Sequence, residues 1–170
     1  MKFVKKKTEH HIKGLLEYDI EPFTDFRGDI WSLYQLSEEL PDFVEDKVSI
    51  SKKNVLRGLH GDFHTSKLIT CLYGKFFLAV VDIRKNSPTF NKSITFELSY
   101  DNPKLILVPS GCLNGHLSLS NECVFFYKWS EFYDGPEKQV TVKWDEPTYN
   151  IRWPIKKPIL SDRDKNAKYL

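Results

Sequence analysis

The stretch RGLHGDFHTSKLITCLYG, from Arg57 to Gly74, sets His60 and His64 four residues apart and follows them with Lys67. A catalytic metal wants three or so His or carboxylate ligands around an open position, and a lysine, cationic at neutral pH, repels one. A His and a Lys facing one pocket suit different chemistry. His60 can accept a proton near neutral pH, and Lys67 can hold a developing oxyanion beside it. Abstraction of a proton α to a ketone demands this pair, because the enolate needs a positive group at its oxygen. Taken singly, a His or a Lys in a strand is an ordinary core or surface residue, so it is the spacing that carries the signal. His64 reads as a loop or pocket-rim residue, and His10 and His11 as an exposed tail.

Strands must position these groups. Short runs rich in β-branched and aromatic residues cover Trp31 to Leu36, Val48 to Lys52, Lys67 to Leu72, Phe76 to Ile83, Ser93 to Leu98, Leu105 to Val108, Val124 to Trp129 and Val140 to Lys143. Turn signals such as Tyr73-Gly74, Ser87-Pro88, Asp101-Asn102-Pro103 and Asp134-Gly135-Pro136 separate them. That spacing predicts an all-β antiparallel sandwich or barrel. Helix signals are confined to a short piece at Ser37 to Leu40, ended by Pro41, and to the tail after Pro158.

A chain of 170 residues suits one domain, residues 1–170, with a well-buried core. Its 25 basic and 23 acidic residues are spread along the sequence, so nucleic acid is not an expected partner. Lys5, Lys6 and Lys7 read as a solvated N-terminal arm. Cys71, Cys112 and Cys123 form no CxxC pair, and their odd number argues for buried free thiols. No apolar segment follows the opening lysines and no apolar run approaches the roughly 20 residues of a membrane span, so a cytoplasmic protein without a membrane partner is expected.

Among small double-sheet barrels, the cupins carry a metal on two motifs. Laid on this chain, those motifs fall on His60, Asp62, Lys67 and Gly74, then on Pro109, Gly111 and Asn114. The scaffold spacing survives and the ligands do not. At the same places the chain resembles the sugar-nucleotide 3,5-epimerases typified by dTDP-4-dehydrorhamnose 3,5-epimerase. The matching stretches are DFRGD (25–29), NVLRGLHGD (54–62), KLITCLYGKFFLAVVDIRKNSPTF (67–90), LILVPSGCLNGHLSLS (105–120), FFYKWSEFY (125–133) and IRWPIKKPILSDRD (151–164).

The resemblance implies a cupin, or jelly-roll, double-sheet barrel with a few short helices, working as a homodimer without metal or cofactor. The reaction it implies inverts carbons flanking the C4 ketone of a nucleotide-linked sugar. By the same resemblance His60 is the general base, paired with Asp164, while Lys67 steadies the enolate oxygen and Tyr127 is the acid on the opposite sugar face. Inversion requires such a partner, since one face loses a proton and the other gains one. Tyr133 would shape the pocket, Arg27 and Arg57 would grip the diphosphate in their planar forks, and Trp153 and Pro154 fall to packing or the pocket wall.

Two departures bear on the substrate. Asn114-Gly115-His116 stands where the family commonly has His-Gly-Phe or His-Ser-Phe, so Asn114 and His116 are expected to touch the sugar and alter its orientation or the carbon inverted. In FVEDKVS, Glu45 and Lys47 replace the amides that meet thymine from the neighbouring subunit in rhamnose-pathway members. A carboxylate suits guanine, which offers two adjacent donors, whereas thymine offers one donor between two acceptors. The expectation is therefore a GDP-linked 4-keto heptose of the kind used for bacterial capsule. The alternatives are the dTDP-4-keto-6-deoxyglucose of the classical reaction, a ketoisomerase on the same scaffold, and a non-catalytic sugar-binding cupin.

Overall fold

The computed structural model describes residues 4–36 and 38–170. Thirteen strands run in chain order: β1 (Val4–Glu9), β2 (Leu16–Ile20), β3 (Phe23–Asp25), β4 (Gly28–Ile30), β5 (Glu45–Lys52), β6 (Leu56–Gly61), β7 (Lys67–Tyr73), β8 (Lys75–Asp82), β9 (Ser93–Ser99), β10 (Lys104–Val108), β11 (Cys112–Ser118), β12 (Glu122–Trp129) and β13 (Val140–Thr141). A single turn of helix, α1 (Asp162–Lys165), follows near the C-terminus, and two 3₁₀ turns lie at Pro136–Lys138 and Pro147–Tyr149. None of these helices is long and apolar enough to cross a membrane.

One sheet has six strands in the order β1-β2-β10-β7-β12-β5 and the other five in the order β13-β6-β11-β8-β9. Neighbours within both sheets pair antiparallel. This is the double-sheet cupin barrel that the turn spacing and the resemblance predict. Between the sheets Ile69, Cys71, Phe76, Leu78, Val80, Ile106, Val108 and Phe125 form the main apolar cluster. Burial of such side chains contributes roughly 1.5–3 kcal/mol each, and the alternation along the strands sends the intervening residues outward.

Some expected elements differ. Residues 31–36 form no strand; Trp31, Leu33 and Tyr34 instead anchor an irregular segment onto Tyr18, Leu68 and Leu105. Their spacing reports burial of side chains, without a neighbouring strand to pair with. Ser37 lies outside the described residues, and Glu38–Leu40 make a turn and a bend where a helix was expected. The expected tail helix is present as α1. The lysine arm is the edge strand β1, with Lys5, Lys6 and Lys7 exposed, a composition that discourages edge-to-edge association. His10 is no free tail residue, since its Nε2 lies 3.0 Å from Glu17 and its ring packs edge-on to Phe96. The three cysteines are free and buried, as their number suggests.

Candidate active site

β6 carries the first two groups, and its local irregularity aims them. Arg57 faces His116 and His60 faces Asn114 in the pairing with β11, so three steps on β6 match two on β11. That β-bulge is what lets Arg57 and His60, an odd number apart, share one face of the sheet. Gly58 supplies the bulge: its φ is +131°, and a Cβ there would collide with the backbone of Gly115.

His60 Nε2 lies 2.6 Å from Asp164 Oδ1. Asp164 is 2% exposed, and α1 holds it in place through Ser161, whose hydroxyl donates to Oδ2 at 2.9 Å and accepts the Asp164 amide at 3.2 Å. Burial alone would raise the Asp164 carboxyl, but the hydrogen bond and charge of His60, the Ser161 hydroxyl and the Gly58 amide outweigh it and hold the carboxyl below its ordinary value. A carboxylate accepts only, so in the neutral ring Nε2 carries the proton and Nδ1 keeps the lone pair.

The six-stranded sheet supplies the facing groups. Lys67 opens β7 and is 3% exposed, with its Nζ donating to Asn114 Oδ1 at 2.8 Å and lying 4.8 Å from the centre of the Trp129 ring. Burial pushes its ammonium down to about 8; Asp62 pulls it back up, and Arg163 adds to the fall. Tyr127 comes from β12, between Phe125 and Trp129 on the same inward face, and burial raises its hydroxyl, which keeps its proton at neutral pH.

These residues meet in one cavity of ≈ 520 Å³ between the sheets, lined by His60, Lys67, Asn114, Tyr127 and Asp164 among others. Arg57, His116, Lys47 and Tyr133 reach it too. Arg57 is steadied by the Ser51 hydroxyl at 3.0 Å and the Ile50 carbonyl at 3.3 Å. His116 stacks on Phe125 at 4.0 Å, and its buried Nε2 has no hydrogen-bond partner among the described residues. Burial, aided by Arg57 and His60, drives the His116 imidazole down to about 3, so it is neutral. Lys47 sits 3.8 Å from the centre of the Tyr133 ring.

Two expected contributors lie elsewhere. Glu45 does not line the cavity: its carboxylate accepts the Tyr133 amide at 2.7 Å and pairs with Lys47 at 3.2 Å. Arg27 stands on the β3–β4 hairpin, whose two strands pair with each other, and its exposed guanidinium binds Asp25 at 2.6 Å. His64 is an exposed loop residue, as expected, and Asp62 caps that loop by accepting the His64 and Thr65 amides. Trp153 packs on Phe77 away from the cavity. Among the described residues no three His, Cys, Asp or Glu side chains gather as a metal site. Sequence reasoning missed Phe125, Trp129 and Arg163 as lining residues. Period-2 alternation would have found the first two once Tyr127 was taken to face inward, and Arg163 adjoins Asp164 in the chain.

Removing and returning a proton beside a carbonyl is the chemistry this cavity can perform, on a frame shared with the cupins; the protein is an isomerase of that class. A family model described as dTDP-4-dehydrorhamnose 3,5-epimerase matches residues 9–170, and the chain belongs to that family. The dTDP-4-dehydrorhamnose 3,5-epimerase of Shigella flexneri is 37% identical over 95% of this chain and 93% of its own. The Salmonella typhimurium protein of the same name is 39% identical, covering 94% and 92%. A crystal structure of dTDP-6-deoxy-D-glucose-3,5-epimerase from Legionella pneumophila, in complex with dTDP-4-keto-L-rhamnose, superposes with a TM-score of 0.90 at 31% identity, covering 96% of this chain and 92% of that one.

Proposed function

We propose that this protein inverts C3, C5 or both of a dTDP-linked 4-keto-6-deoxy sugar through an enolate. The His60–Asp164 pair, facing Lys67 and Tyr127 across one cavity, carries the reading. His60 Nδ1 takes the proton from the carbon beside the ketone; the C–H pair moves into the ring and the charge onto the C4 oxygen, beside the Lys67 ammonium. Asp164 stabilises the imidazolium that forms. Tyr127, from the opposite sheet, returns a proton to the other face, so a C–H bond forms as its O–H bond breaks. His60 then yields its proton through solvent to the tyrosinate.

Arg57 binds the diphosphate, while Lys47 and Tyr133 border the nucleotide end of the cavity. The unpartnered, neutral nitrogen of His116 meets a sugar hydroxyl, which removes the roughly 1–3 kcal/mol cost of leaving such a group unpaired. Arg27 is turned away from its own chain's cavity, and this supports a homodimer in which each β3–β4 hairpin serves the neighbour's diphosphate. Three buried free thiols suit the reducing cytoplasm. No metal or cofactor enters these steps.

The GDP-linked 4-keto heptose is the weaker second reading. It rests on the carboxylate of Glu45, but that group is already engaged by Lys47 and the Tyr133 amide, and the relatives described above are named for dTDP sugars. Proton NMR in deuterated water tests both, with dTDP-4-keto-6-deoxyglucose and a GDP-4-keto heptose offered separately. Exchange at C3 or C5 of the dTDP sugar is expected, falling by about 10²–10⁴ in His60→Asn with nucleotide binding kept. Exchange only on the GDP sugar would reverse the nucleotide assignment, and a carbonyl shift instead of inversion would mark a ketoisomerase. No exchange on either would favour a binding protein.

A further inference from the structure

We propose that Asn114 is a positioning residue for Lys67: its amide oxygen fixes the ammonium where the sugar's C4 oxygen will lie, without setting a negative charge beside it. The inference rests on the epimerase reading of this same cavity and deepens it. β11, on the five-stranded sheet, brings Asn114 directly across from His60, while Lys67 begins β7 on the six-stranded sheet. The 2.8 Å bond from Lys67 Nζ to Asn114 Oδ1 therefore crosses between the sheets, in the cavity that His60 also lines.

An ammonium has three donors. Asn114 takes one and the Trp129 ring lies 4.8 Å from the nitrogen, so donors remain for a substrate oxygen. The chemistry of residue 114 decides how strongly those donors pull. A carboxylate there would pair with the ammonium and cancel much of its field, whereas an amide orients it and leaves the charge whole. Preorganised donors in a dry site act most strongly when nothing local compensates them.

The groups that act on the Lys67 titration are Asp62 beyond β6, Arg163 on α1, Cys112 on β11 and Lys47 on β5. The other titratable or charged groups facing the same cavity are His60, His116, Tyr127, Tyr133, Arg57 and Asp164. Asp62 accepts the amides of its own loop through Oδ1, though its charge still raises the lysine, and Arg163 and Lys47 are cations. Burial dominates and brings Lys67 to about 8. The charged form is thus present below that pH and is lost as pH rises through it, so turnover declines on the alkaline side.

Asn114→Asp adds an anion, which favours the charged lysine. The expected result is an alkaline limb moved up by about one pH unit or more, together with a kcat lowered about 10²–10³-fold as the oxyanion support is neutralised. KM should change less than about threefold, since binding of the nucleotide is untouched. Asn114→Leu removes the acceptor at similar volume and should move the Lys67 titration down.

The experiment labels lysine ε-carbons with ¹³C, assigns Lys67 through Lys67→Arg, and titrates the ligand-free wild type and both variants by NMR. Deuterium uptake by dTDP-4-keto-6-deoxyglucose and by a GDP-4-keto heptose is followed in parallel across pH. A Lys67 titration that rises in Asn114→Asp and falls in Asn114→Leu, with the alkaline limb following, supports the proposal. An unmoved titration overturns it whatever reaction the protein performs, and a moved titration with an unmoved limb overturns the claim that Asn114 positions Lys67 for turnover. A wild type that exchanges neither sugar removes the epimerase reading and the proposal with it; the ligand-free titration still reports separately whether Asn114 governs Lys67.

Discussion

At the scale of residues, the proposed reaction rests on one imidazole and one hydroxyl held in unlike environments. His60 keeps a lone pair on Nδ1 because an ionised Asp164 claims the proton on Nε2, whereas Tyr127, from the facing sheet, is kept protonated by burial. In the proposed reaction base and acid therefore approach a bound sugar from opposite faces. Tyr127→Phe is expected to lower inversion by about 10²–10⁴ while wash-in of deuterium at the acidic carbon persists, because His60 can still remove and return a proton on its own side. NMR of the product and its isotope content checks this; loss of nucleotide affinity instead would make Tyr127 a pocket wall. The sequence marked His60, Lys67 and Tyr127 by motif. It could not show that His116 is neutral and without a partner among the described residues, since that depends on the stack with Phe125 and the depth of the cavity.

At the scale of elements, glycines and bulges do the aiming. The β6 bulge at Gly58 turns Arg57 and His60 to the same side, and Gly74, with φ +69°, makes the turn from β7 into β8. A Cβ at Gly74 would meet the Glu122 carbonyl and the Ser120 hydroxyl. Gly74→Ala should therefore destabilise the barrel by about 2 kcal/mol, a fall in Tm of roughly 4–8 °C at this size, read by calorimetry. An unchanged Tm would mean that the turn relaxes freely. Strands such as β7 and β8 were legible because buried runs and turn residues bound them. β1, β2, the β3–β4 hairpin and the site-bearing β6 and β11 were not legible: β1 has few apolar residues, β2, β3 and β4 are short, and glycines interrupt the patterns of β6 and β11. The half-buried side chains within residues 31–36 imitate a strand that has no partner.

At the scale of the molecule, the exposed hairpin makes a prediction about assembly. Arg27 is 74% exposed at its side chain, and Phe26 beside it is exposed as well. If each hairpin serves a second copy, Arg27→Ala and His60→Asn proteins, each deficient alone, should recover activity when unfolded and refolded together. Random pairing gives about one quarter of the wild-type rate, since half the dimers are mixed and each has one intact site. Recovery absent from a mixture shown by light scattering to be dimeric would assign Arg27 to its own chain.

The sequence by itself limited the fold to an antiparallel sandwich or barrel, through its short strand runs and their turn spacing, and its motif order marked His60, Asp164, Lys67 and Tyr127 as the candidate base, carboxylate, oxyanion holder and acid. Those signals are local in the chain or repeat at fixed spacing. Only the tertiary structure decided which groups share the cavity. It joined His60 to Asp164 across 104 residues, set Asn114 on Lys67, engaged Glu45 with Lys47 and the Tyr133 amide, and turned Arg27 outward. The reason is physical: the direction of a side chain and the company it keeps depend on bulges, pairing register and burial, which are settled by packing between strands distant in sequence.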